Sequence, residues 1–496
     1  METILALDQG TTVSKAAVYA TNGRLLGMGR ASVTTRFGRM GRAVQDPLEL
    51  LEAQRLAMRR ALRAAGEPRV DAAGVSSQRS TFVVWDRRTG RPVAPAPTWQ
   101  STEASRICEE LDGSSEAVRE RTGLPLSPHY SASKLALLFE TKPLLRRRAE
   151  SGDLVFGNVA TWLIWNFTGG AVHATDPTHA ARTLLFSLER LRWDRWLMDL
   201  FGVPDAIMPK ILPSLGDYGS LRIAGKDVPI RACLGDQQAA LIGVSGLFGR
   251  RTAGTALVNY GTGAFVLIPT GERPERREGM LTSFLWTSAK ERCYVLEGTI
   301  NAAGSTLDWL RREMRAPAPL DAMDRLCRRS AGDTQLLPSF WGLGSAYTTM
   351  RDSTLPAVMV STGAPVTIAD MTRAGVEAIA HMVAVVLERG AGDNRRVRRL
   401  VATGSLARLP YLMQFQASLL AGIAVSAGTE PEATLAGVAR AAATSAGIRW
   451  RHNGARRLPA IATTARERGV AMHRHREWRR LIAMARIWKE VAEAYP

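Results

Sequence analysis

The chain has 496 residues, a net charge of +19, 46% hydrophobic residues and 22% charged residues. This composition is typical of a globular protein with a large core, and the length predicts two or three domains, which excludes a disordered or fibrous chain. We find no signal peptide, no run of about 18 apolar residues and no closely spaced cysteines. We therefore expect a cytoplasmic protein without a membrane span, a zinc site or a disulfide framework.

The positive charge comes mainly from arginine. A charge of this size attracts nucleic acid, anionic lipid or phosphorylated substrates. Aromatic residues make up only 6% of the chain and do not alternate with the basic runs, as a groove for single-stranded nucleic acid requires. The abundance of arginine and alanine is typical of a GC-rich genome, so we expect no nucleic-acid partner.

The first predicted element is a strand–turn–strand unit over residues 4–19 with a glycine in the turn. Asp46 predicts the N-cap of a helix that runs from Pro47 to about residue 65, and Glu49 completes a capping-box pattern. Further strands are predicted over residues 70–76 and 81–85.

A second strand–turn–strand unit, over residues 256–268, repeats the first at long range. Two Gly-Thr hairpins, one at the start of each half, predict a duplicated architecture. The glycine-rich stretch 243–249 predicts the boundary, which gives domains of residues 1–246 and 247–496. A C-terminal packing helix is predicted from one apolar face: Trp478, Leu481, Ile482, Ala485 and Trp488.

The Gly-Thr turns predict a phosphate site, because consecutive backbone N–H groups in such a turn converge on phosphate oxygens and threonine hydroxyls add donors. Asp8 is placed to hold Mg2+, and Lys15 is placed to reach a phosphoryl group. The turn at residues 10–12 alone is equally typical of an ordinary hairpin. Its recurrence at residues 261–263 favours a nucleotide held between two halves.

Asp236 follows a predicted strand and Gly235, and it precedes an alanine-rich helix. This position suits a helix N-cap. It equally suits a general base that accepts the proton of a substrate hydroxyl, which is worth on the order of 10²–10⁴ in rate. The spacing alone does not decide between the two interpretations.

Several segments occur together in the order of a known family. They are Asp8-Gln9-Gly10-Thr11-Thr12, Gln78-Arg79, Thr98-Trp99-Gln100, Gly235-Asp236-Gln237-Gln238-Ala239-Ala240, Tyr260-Gly261-Thr262-Gly263 and Leu412-Met413-Gln414-Phe415-Gln416. Over nearly the whole chain the sequence resembles the FGGY carbohydrate kinase family, and within it the members that phosphorylate glycerol.

The resemblance implies an α/β fold: a duplicated, actin-like kinase with two ribonuclease-H-like domains and a central cleft. It implies ATP and Mg2+ as cofactors and a small polyol or sugar as partner, with glycerol phosphorylated to glycerol 3-phosphate. Two alternatives stay open: a kinase of another polyol or ketose (erythritol, xylulose or ribulose), and a non-catalytic paralogue that binds polyol or nucleotide. The sequence also leaves a homodimer or homotetramer open.

The resemblance also assigns roles to residues. Asp236 matches the catalytic base, and Asp8 matches the aspartate associated with Mg2+. The nucleotide side matches Gly10, Thr11, Thr12, Lys15, Gly261, Thr262, Gly263, Gly304, Asp308 and Gly404. The polyol side matches Arg79, Ser80, Trp99, His129, Tyr130, Asp236, Gln237 and Phe265.

Several positions depart from the family pattern, and three of them bear directly on substrate and nucleotide binding. Ser80 stands where these kinases have a glutamate that binds substrate hydroxyls, and His129 aligns with a substrate-binding tyrosine, with Tyr130 next to it. Sites built around hydroxyl hydrogen bonds discriminate strongly, so a changed substrate preference is expected. Thr403 stands where a glycine lies next to the adenosine, which predicts weaker nucleotide binding because of its Cβ atom.

Overall fold

The computed structural model describes residues 2–245, 254–340, 343–344, 355–362, 365–392, 397–428, 432–451 and 458–494. Within these ranges the strands are β1 (Thr3–Gln9), β2 (Val13–Ala20), β3 (Leu25–Ser32), β4 (Arg36–Phe37), β5 (Ala43–Gln45), β6 (Ala72–Ser77), β7 (Phe82–Asp86), β8 (Ala96–Pro97), β9 (Leu154–Asn158), β10 (Ala174–Thr175), β11 (Phe186–Ser187), β12 (Arg192–Trp193), β13 (Lys210–Ile211), β14 (Ser220–Ile223), β15 (Lys226–Gly235), β16 (Thr255–Tyr260), β17 (Ala264–Gly271), β18 (Leu281–Thr287), β19 (Arg292–Ile300), β20 (Gln335–Leu337), β21 (Val358–Val360), β22 (Arg399–Gly404) and β23 (Ala424–Ala427).

The α-helices in the same ranges are α1 (Pro47–Ala64), α2 (Ser105–Glu110), α3 (Ser115–Thr122), α4 (Ser131–Thr141), α5 (Pro143–Glu150), α6 (Val159–Phe167), α7 (Pro177–Ala180), α8 (Arg195–Phe201), α9 (Asp236–Ser245), α10 (Gly304–Glu313), α11 (Leu320–Arg329), α12 (Ile368–Ala391), α13 (Pro410–Leu419), α14 (Ala433–Ser445) and α15 (Ala465–Ala494). No helix within the described residues combines the length and apolar character that crossing a bilayer requires.

Two six-stranded sheets form the framework of the molecule. The first has the order β14-β15-β6-β1-β2-β3, and the second has the order β18-β19-β17-β16-β22-β23. In the first sheet β2 is antiparallel to β1 and β3, whereas β6 and β15 continue in parallel with β1. In the second sheet β17, β19, β22 and β23 repeat these directions around β16. Five strands of each sheet correspond, and the sixth lies at opposite edges. In the first sheet it is β14, next to β15, and in the second sheet it is β18, next to β19.

This repeat confirms the predicted α/β, actin-like duplication. The two predicted hairpins are β1–β2 and β16–β17, and neither contains an edge strand of its sheet. In each half, the long helix that precedes the second parallel strand (β6 or β22) covers the antiparallel strands: α1 packs on β2 and β3, and α12 packs on β17 and β19. Gly243 lies inside α9, and residues 246–253 lie outside the described residues, so the boundary at 246/247 stays a prediction.

Helices α9 and α14 pack between the two sheets. A buried apolar cluster joins Ala239 and Val438 on these helices to Ile4 of the first sheet and Leu257 of the second. The helices cross in close backbone contact: a Cβ atom on Gly243 would lie 1.9 Å from the carbonyl oxygen of Ala433, and one on Gly437 would lie 1.8 Å from that of Ala239. Only glycine allows this approach, which brings the two halves together.

Two details of the predicted helices are wrong. Asp46 caps α1 by accepting a hydrogen bond from Leu48 N, but Glu49 binds Thr34 N instead of completing a capping box, because the chain after β3 offers a free N–H group. On α15, Trp478 is fully buried, whereas Trp488 is 67% exposed. The packed face of α15 therefore ends at Ala485 and does not include Trp488.

Candidate active site between the two sheets

The strand order of the first sheet brings the predicted site residues together. Strands β1, β6 and β15 are parallel neighbours, and their last residues, Gln9, Ser77 and Gly235, lie in register. Gly10 and Arg79 lie in the segments that follow β1 and β6, and Asp236 directly follows β15. In parallel sheets, ligands bind at the carboxyl ends of such strands, so topology alone gathers these residues at one edge.

Asp236 is the first residue of α9. Its Oδ1 atom accepts a hydrogen bond from Gln237 N at 2.8 Å and lies 3.5 Å from Arg79 Nε. Its side chain is 27% exposed, whereas the side chain of Arg79 is nearly buried. The carboxylate is therefore oriented by two donors and still accessible to a ligand, which is the geometry that a general base requires.

Glu297 reaches Arg79 from β19 of the second sheet. Its Oε1 accepts from Arg79 Nη1 at 2.6 Å, and its Oε2 accepts from Arg182 Nη2 at 2.8 Å. Burial raises the pKa of Glu297, but Arg182 and Arg79 outweigh that effect and lower the pKa overall, so the carboxylate is charged. Arg182 and Glu297 were not assigned roles from the sequence, since neither shows a local signal of site chemistry.

Aromatic side chains form one wall beside this cluster. Trp99 Nε1 donates to Thr11 Oγ1 at 2.9 Å, and the Trp99 ring lies 5.6 Å from the His129 ring between centroids. The rings of His129 and Tyr130 are 5.0 Å apart, and the Arg182 guanidinium lies over Tyr130. Burial, followed by the charges of nearby basic groups, holds the pKa of His129 well below its usual value, so its imidazole is neutral.

Lys134 ties the two loops of this wall together. Its ammonium group donates to the carbonyl oxygens of Thr98 at 2.8 Å and His129 at 3.0 Å. Burial lowers the pKa of Lys134 to about 7. No sequence pattern singles out this lysine, because its partners are backbone carbonyl groups.

Ser80 lies inside the cluster and not at its rim. It is buried, has a φ of +64°, and its Oγ donates to the carbonyl oxygen of Arg182 at 3.2 Å. Two nitrogen atoms of the Arg182 side chain, Nε and Nη1, are buried and have no hydrogen-bond partner among the described residues. Ser80 therefore contacts the backbone of Arg182, and the Ser80 side chain supplies no acceptor to these two nitrogen atoms.

Asp8 lies at the end of β1, next to the first turn. Its Oδ1 atom is buried and has no hydrogen-bond partner within the described part of the chain. Burial and the neighbouring charge of Asp236 raise the pKa of Asp8 to about 7, although Lys15 opposes the shift. Lys15 itself binds Glu432 of the second half at 2.8 Å, so its ammonium group is engaged across the two halves and does not point freely at the turn.

The second hairpin packs against the start of α10. Gly304 N donates to the carbonyl oxygen of Gly261 at 3.0 Å, and a Cβ atom on Gly304 would lie 2.6 Å from that oxygen. Beside the turn is a cavity of about 420 Å³, a size in the range of small-molecule sites. The cavity is lined by Thr262 and Asp308, which the resemblance assigns to the nucleotide side. Its other lining residues are Asn301, Ser305 and Arg312, which were not predicted.

The remaining predicted residues of the second half lie close to this hairpin. Gly263 completes the turn, and Phe265 is half-buried on β17 against the apolar cluster between the sheets. Gly404 ends β22 next to Tyr260, with a φ of +86°. A Cβ atom there would lie 2.0 Å from the carbonyl oxygen of Tyr260, so the position requires glycine.

Thr403 is buried and bonds to the sheet. Its Oγ1 lies 3.4 Å from Asn259 Oδ1, and Asn259 Nδ2 donates to Gln237 Oε1 at 3.0 Å. Gln237 Nε2 in turn lies 3.4 Å from Asp236 Oδ2. Thr403, which stands where the family has glycine, is thus linked to Asp236 through hydrogen bonds of Asn259 and Gln237.

A buried polar network holds the strand ends in place. His179 bonds through its two ring nitrogens to Asp176 at 2.7 Å and to Ser77 at 3.0 Å, and Thr178 Oγ1 accepts from Gly235 N at 2.8 Å. Asp176, His179 and Cys233 also lie close enough together to bind a metal ion. Because both nitrogens of His179 are already bonded, the cluster fits a structural role. Its hydrogen bonds hold Ser77 and Gly235, the residues at the strand ends before Arg79 and Asp236.

Two sheets of the same order, each with a Gly-Thr hairpin, and a carboxylate between them define a duplicated kinase of the actin-like fold. The N-terminal domain model of the FGGY family of carbohydrate kinases matches residues 3–243, and its C-terminal domain model matches residues 256–446. The chain belongs to the FGGY family of carbohydrate kinases. The resemblance seen in the sequence is confirmed.

Individual relatives match along the whole chain. The glycerol kinase of Thermus brockianus is 39% identical over 506 aligned positions, covering 98% of this chain and 99% of the relative. The glycerol kinase of Alkalilimnicola ehrlichii is 37% identical, with the same coverage. A crystal structure of Plasmodium falciparum glycerol kinase with ADP superposes with a TM-score of 0.86 at 23% identity and covers 98% of both chains, which shows the shared fold.

Proposed function

We propose that this kinase transfers the terminal phosphoryl group of ATP to a hydroxyl group of glycerol and so forms glycerol 3-phosphate and ADP. The curated relatives named glycerol kinase match at 37–39% identity along the whole chain, which supports this substrate. The observation that carries the proposal is the accessible carboxylate of Asp236, oriented by Arg79 and Gln237 at the shared edge of three parallel strands.

Asp236 accepts the proton of the attacking hydroxyl as the oxygen–phosphorus bond forms and the bond from phosphorus to the ADP oxygen breaks. Arg79 and Gln237 bind the hydroxyl groups of the polyol as hydrogen-bond donors. Trp99 and Phe265 cover its C–H faces, since small polar ligands bind best where a few directed polar groups meet apolar walls. The neutral ring of His129 extends this wall.

The phosphate groups of ATP bind at the two Gly-Thr turns, with Thr11, Thr12 and Thr262 as additional donors. Asp8 is the residue to hold Mg2+, because its buried Oδ1 lacks a partner and a carboxylate oxygen is a ligand that Mg2+ prefers. When bound, Mg2+ neutralises charge on the phosphates. The cavity beside Thr262 and Asp308 is the place for the remainder of the nucleotide.

The test is a coupled assay of ADP release with glycerol, erythritol, xylulose and ribulose as acceptors. We expect the highest kcat/KM with glycerol. A clear preference for one of the other three acceptors would show that the protein is a kinase of that acceptor and not of glycerol. No release with any acceptor, from protein that still binds ADP, would favour a non-catalytic paralogue.

Two observations favour a larger acceptor as a second candidate: Ser80 has a short side chain, and Nε and Nη1 of Arg182 have no partner among the described residues. Ser80→Glu supplies a carboxylate for those donors and fills the space. We expect the preference for glycerol over the best larger acceptor to rise about tenfold, as one charge-assisted hydrogen bond provides. Ser80→Ala is the control that changes the hydroxyl without adding charge, and a flat ratio in Ser80→Glu would place Ser80 outside the acceptor site.

We also infer that the protein works in the cytoplasm, since the described residues contain no membrane-spanning helix and its cysteines are free and buried. A homodimer or homotetramer is the assembly that we propose. Light scattering behind a sizing column measures it directly, and a mass of 54.0 kDa at all concentrations would contradict it.

A further inference from the structure

Glu297 is the carboxylate through which the second half of the molecule contacts the polyol side of the first half. It is fully buried, and it accepts hydrogen bonds from Arg79 at 2.6 Å, Arg182 at 2.8 Å and Gln238 at 3.1 Å. All three donors belong to the first half. With both oxygens bonded, the position of the carboxylate is fixed, and so is the guanidinium of Arg79.

A second buried glutamate shows what a purely structural arrangement looks like. Glu377 also bonds to an arginine, Arg474, and to Tyr411 OH at 2.6 Å. These partners all lie in the second half, away from Asp236. Glu297 differs in two respects: its donors lie in the opposite half, and its partner Arg79 lies 3.5 Å from the carboxylate of Asp236.

Glu297 also lies on the sheet that carries the nucleotide side of the site. It pairs in register with Leu267 of β17, the strand that leaves the second Gly-Thr turn. A movement of this sheet relative to the first sheet therefore moves the turn and Glu297 together. Moving Glu297 away would leave the buried guanidinium of Arg182 without its paired carboxylate and Arg79 with Asp236 alone, which is strongly unfavourable.

We propose that Glu297 is a positioning residue for the polyol: it holds Arg79 in its binding orientation from the opposite half, so that nucleotide binding to the second half strengthens polyol binding to the first. The inference rests on the proposed function. It goes beyond that function by naming the contact that couples the two substrates. By linkage, polyol must strengthen nucleotide binding by the same factor.

The experiment measures glycerol binding by calorimetry with and without saturating ADP, which allows no turnover. In wild-type protein we expect ADP to tighten glycerol binding by about fivefold or more. In Glu297→Gln, which keeps the shape and loses the charge, we expect glycerol binding with ADP to weaken by about tenfold or more and the effect of ADP to disappear. The affinity for ADP alone should change by less than about twofold, because the nucleotide residues are untouched.

Glu377→Gln is the matched control, a buried glutamate with arginine partners in one half only. It should lower the melting temperature and leave both glycerol affinity and its response to ADP unchanged. Glu297→Gln behaving in the same way would overturn the proposal and leave Glu297 a structural residue. Should that variant not fold, Gln238→Met removes one hydrogen bond to Glu297 and is expected to weaken glycerol binding about threefold, whereas an unchanged affinity would overturn the proposal.

Failure of the proposed function gives a different result from failure of the proposal for Glu297. Wild-type protein that releases no ADP with glycerol but does so with another acceptor contradicts glycerol as substrate. The same calorimetry with that acceptor then tests Glu297. An acceptor that turns over in the wild type and binds equally well with and without ADP overturns the coupling.

Discussion

The Gly-Thr turns of the two halves occupy the same place in sheets of the same order, but they contact different neighbours. In the first turn, Thr11 Oγ1 accepts from Trp99 Nε1 and donates to Gln78 Oε1. This turn is therefore bonded to the aromatic wall of Trp99, His129 and Tyr130, where we propose that the polyol binds. In the second turn, the carbonyl oxygen of Thr262 accepts from Ser305 N at 2.9 Å, and the turn is bonded to α10.

This difference shows that duplication fixes where a turn lies, whereas the neighbours of the turn determine what it does. Substitutions around the first turn should change polyol and nucleotide kinetics together. Substitutions around the second turn should change nucleotide kinetics alone. The following predictions test that division.

The largest difference between the two halves is Asp236, which follows β15, the outer parallel strand of the first sheet. The corresponding strand of the second sheet is β23, and in the described part of that half it is followed by Gly428, which carries no carboxylate. We expect Asp236→Asn to lower kcat by about 10²–10⁴ with little change in melting temperature, because a general base is lost and the shape is kept. Asp199→Asn, which removes an exposed ion pair with Arg195, is the control. Wild-type turnover in folded Asp236→Asn would refute the role of this carboxylate.

Gly304→Ala tests the second turn. The added Cβ atom would lie 2.6 Å from the carbonyl oxygen of Gly261, so the turn must shift. We expect KM for ATP to rise about tenfold or more, with KM for the polyol unchanged, since misplaced binding groups weaken the contacts they make. Gly469→Ala, on α15 with open space around it, is the matched control. A parallel rise in the KM of the polyol would contradict the division between the turns.

Asp8 corresponds to Asn259 when the two turns are aligned at Gly10 and Gly261. The pKa of Asp8 is raised from 3.8 to about 7, chiefly by burial, so between these values the folded chain binds a proton that the unfolded chain lacks. The folded state therefore loses stability as pH rises from about 4 to 7. We expect Asp8→Asn to melt higher than wild type at pH 8 in metal-free buffer, with the difference shrinking toward pH 5.

The measurement is a series of melting curves at several pH values with a chelator present. Asn259→Ser, at the corresponding position of the second turn, removes no titratable group and should leave the difference from wild type constant with pH. A constant difference for Asp8→Asn as well would mean that Asp8 does not hold a proton in the folded state.

Trp99→Phe gives the smallest expected effect and tests the bond between the first turn and the polyol wall. The substitution keeps an aromatic wall and removes the hydrogen bond to Thr11. A net loss of about 1 kcal/mol predicts a rise of about fivefold in both KM values. Trp196→Phe, at a surface position outside the site, is the control. A rise in only one of the two values would show that the turn and the wall act independently.

Much of the fold was readable from local patterns. The hairpins, the cap at Asp46 and the start of α1 follow from short-range signals, and recurrence of the Gly-Thr turn indicated the duplication. The errors at Glu49 and Trp488 both depend on tertiary neighbours: Glu49 binds Thr34 N from another part of the chain, and Trp488 lies beyond the packed face of its helix. A helical pattern shows which side chains share a face, but it does not show where the surface that they pack against ends.

The sequence by itself determined the chemistry available at the strand ends, since Asp8 lies near the end of a recognisable strand and Arg79 and Asp236 each follow one. Only the tertiary structure decided which charges meet. Arg79 and Glu297 are 218 residues apart in the chain, and Lys15 and Glu432 are 417 apart. Such pairs leave no local pattern, because they form only when α9 and α14 bring the two sheets together through glycines that allow their backbones to touch.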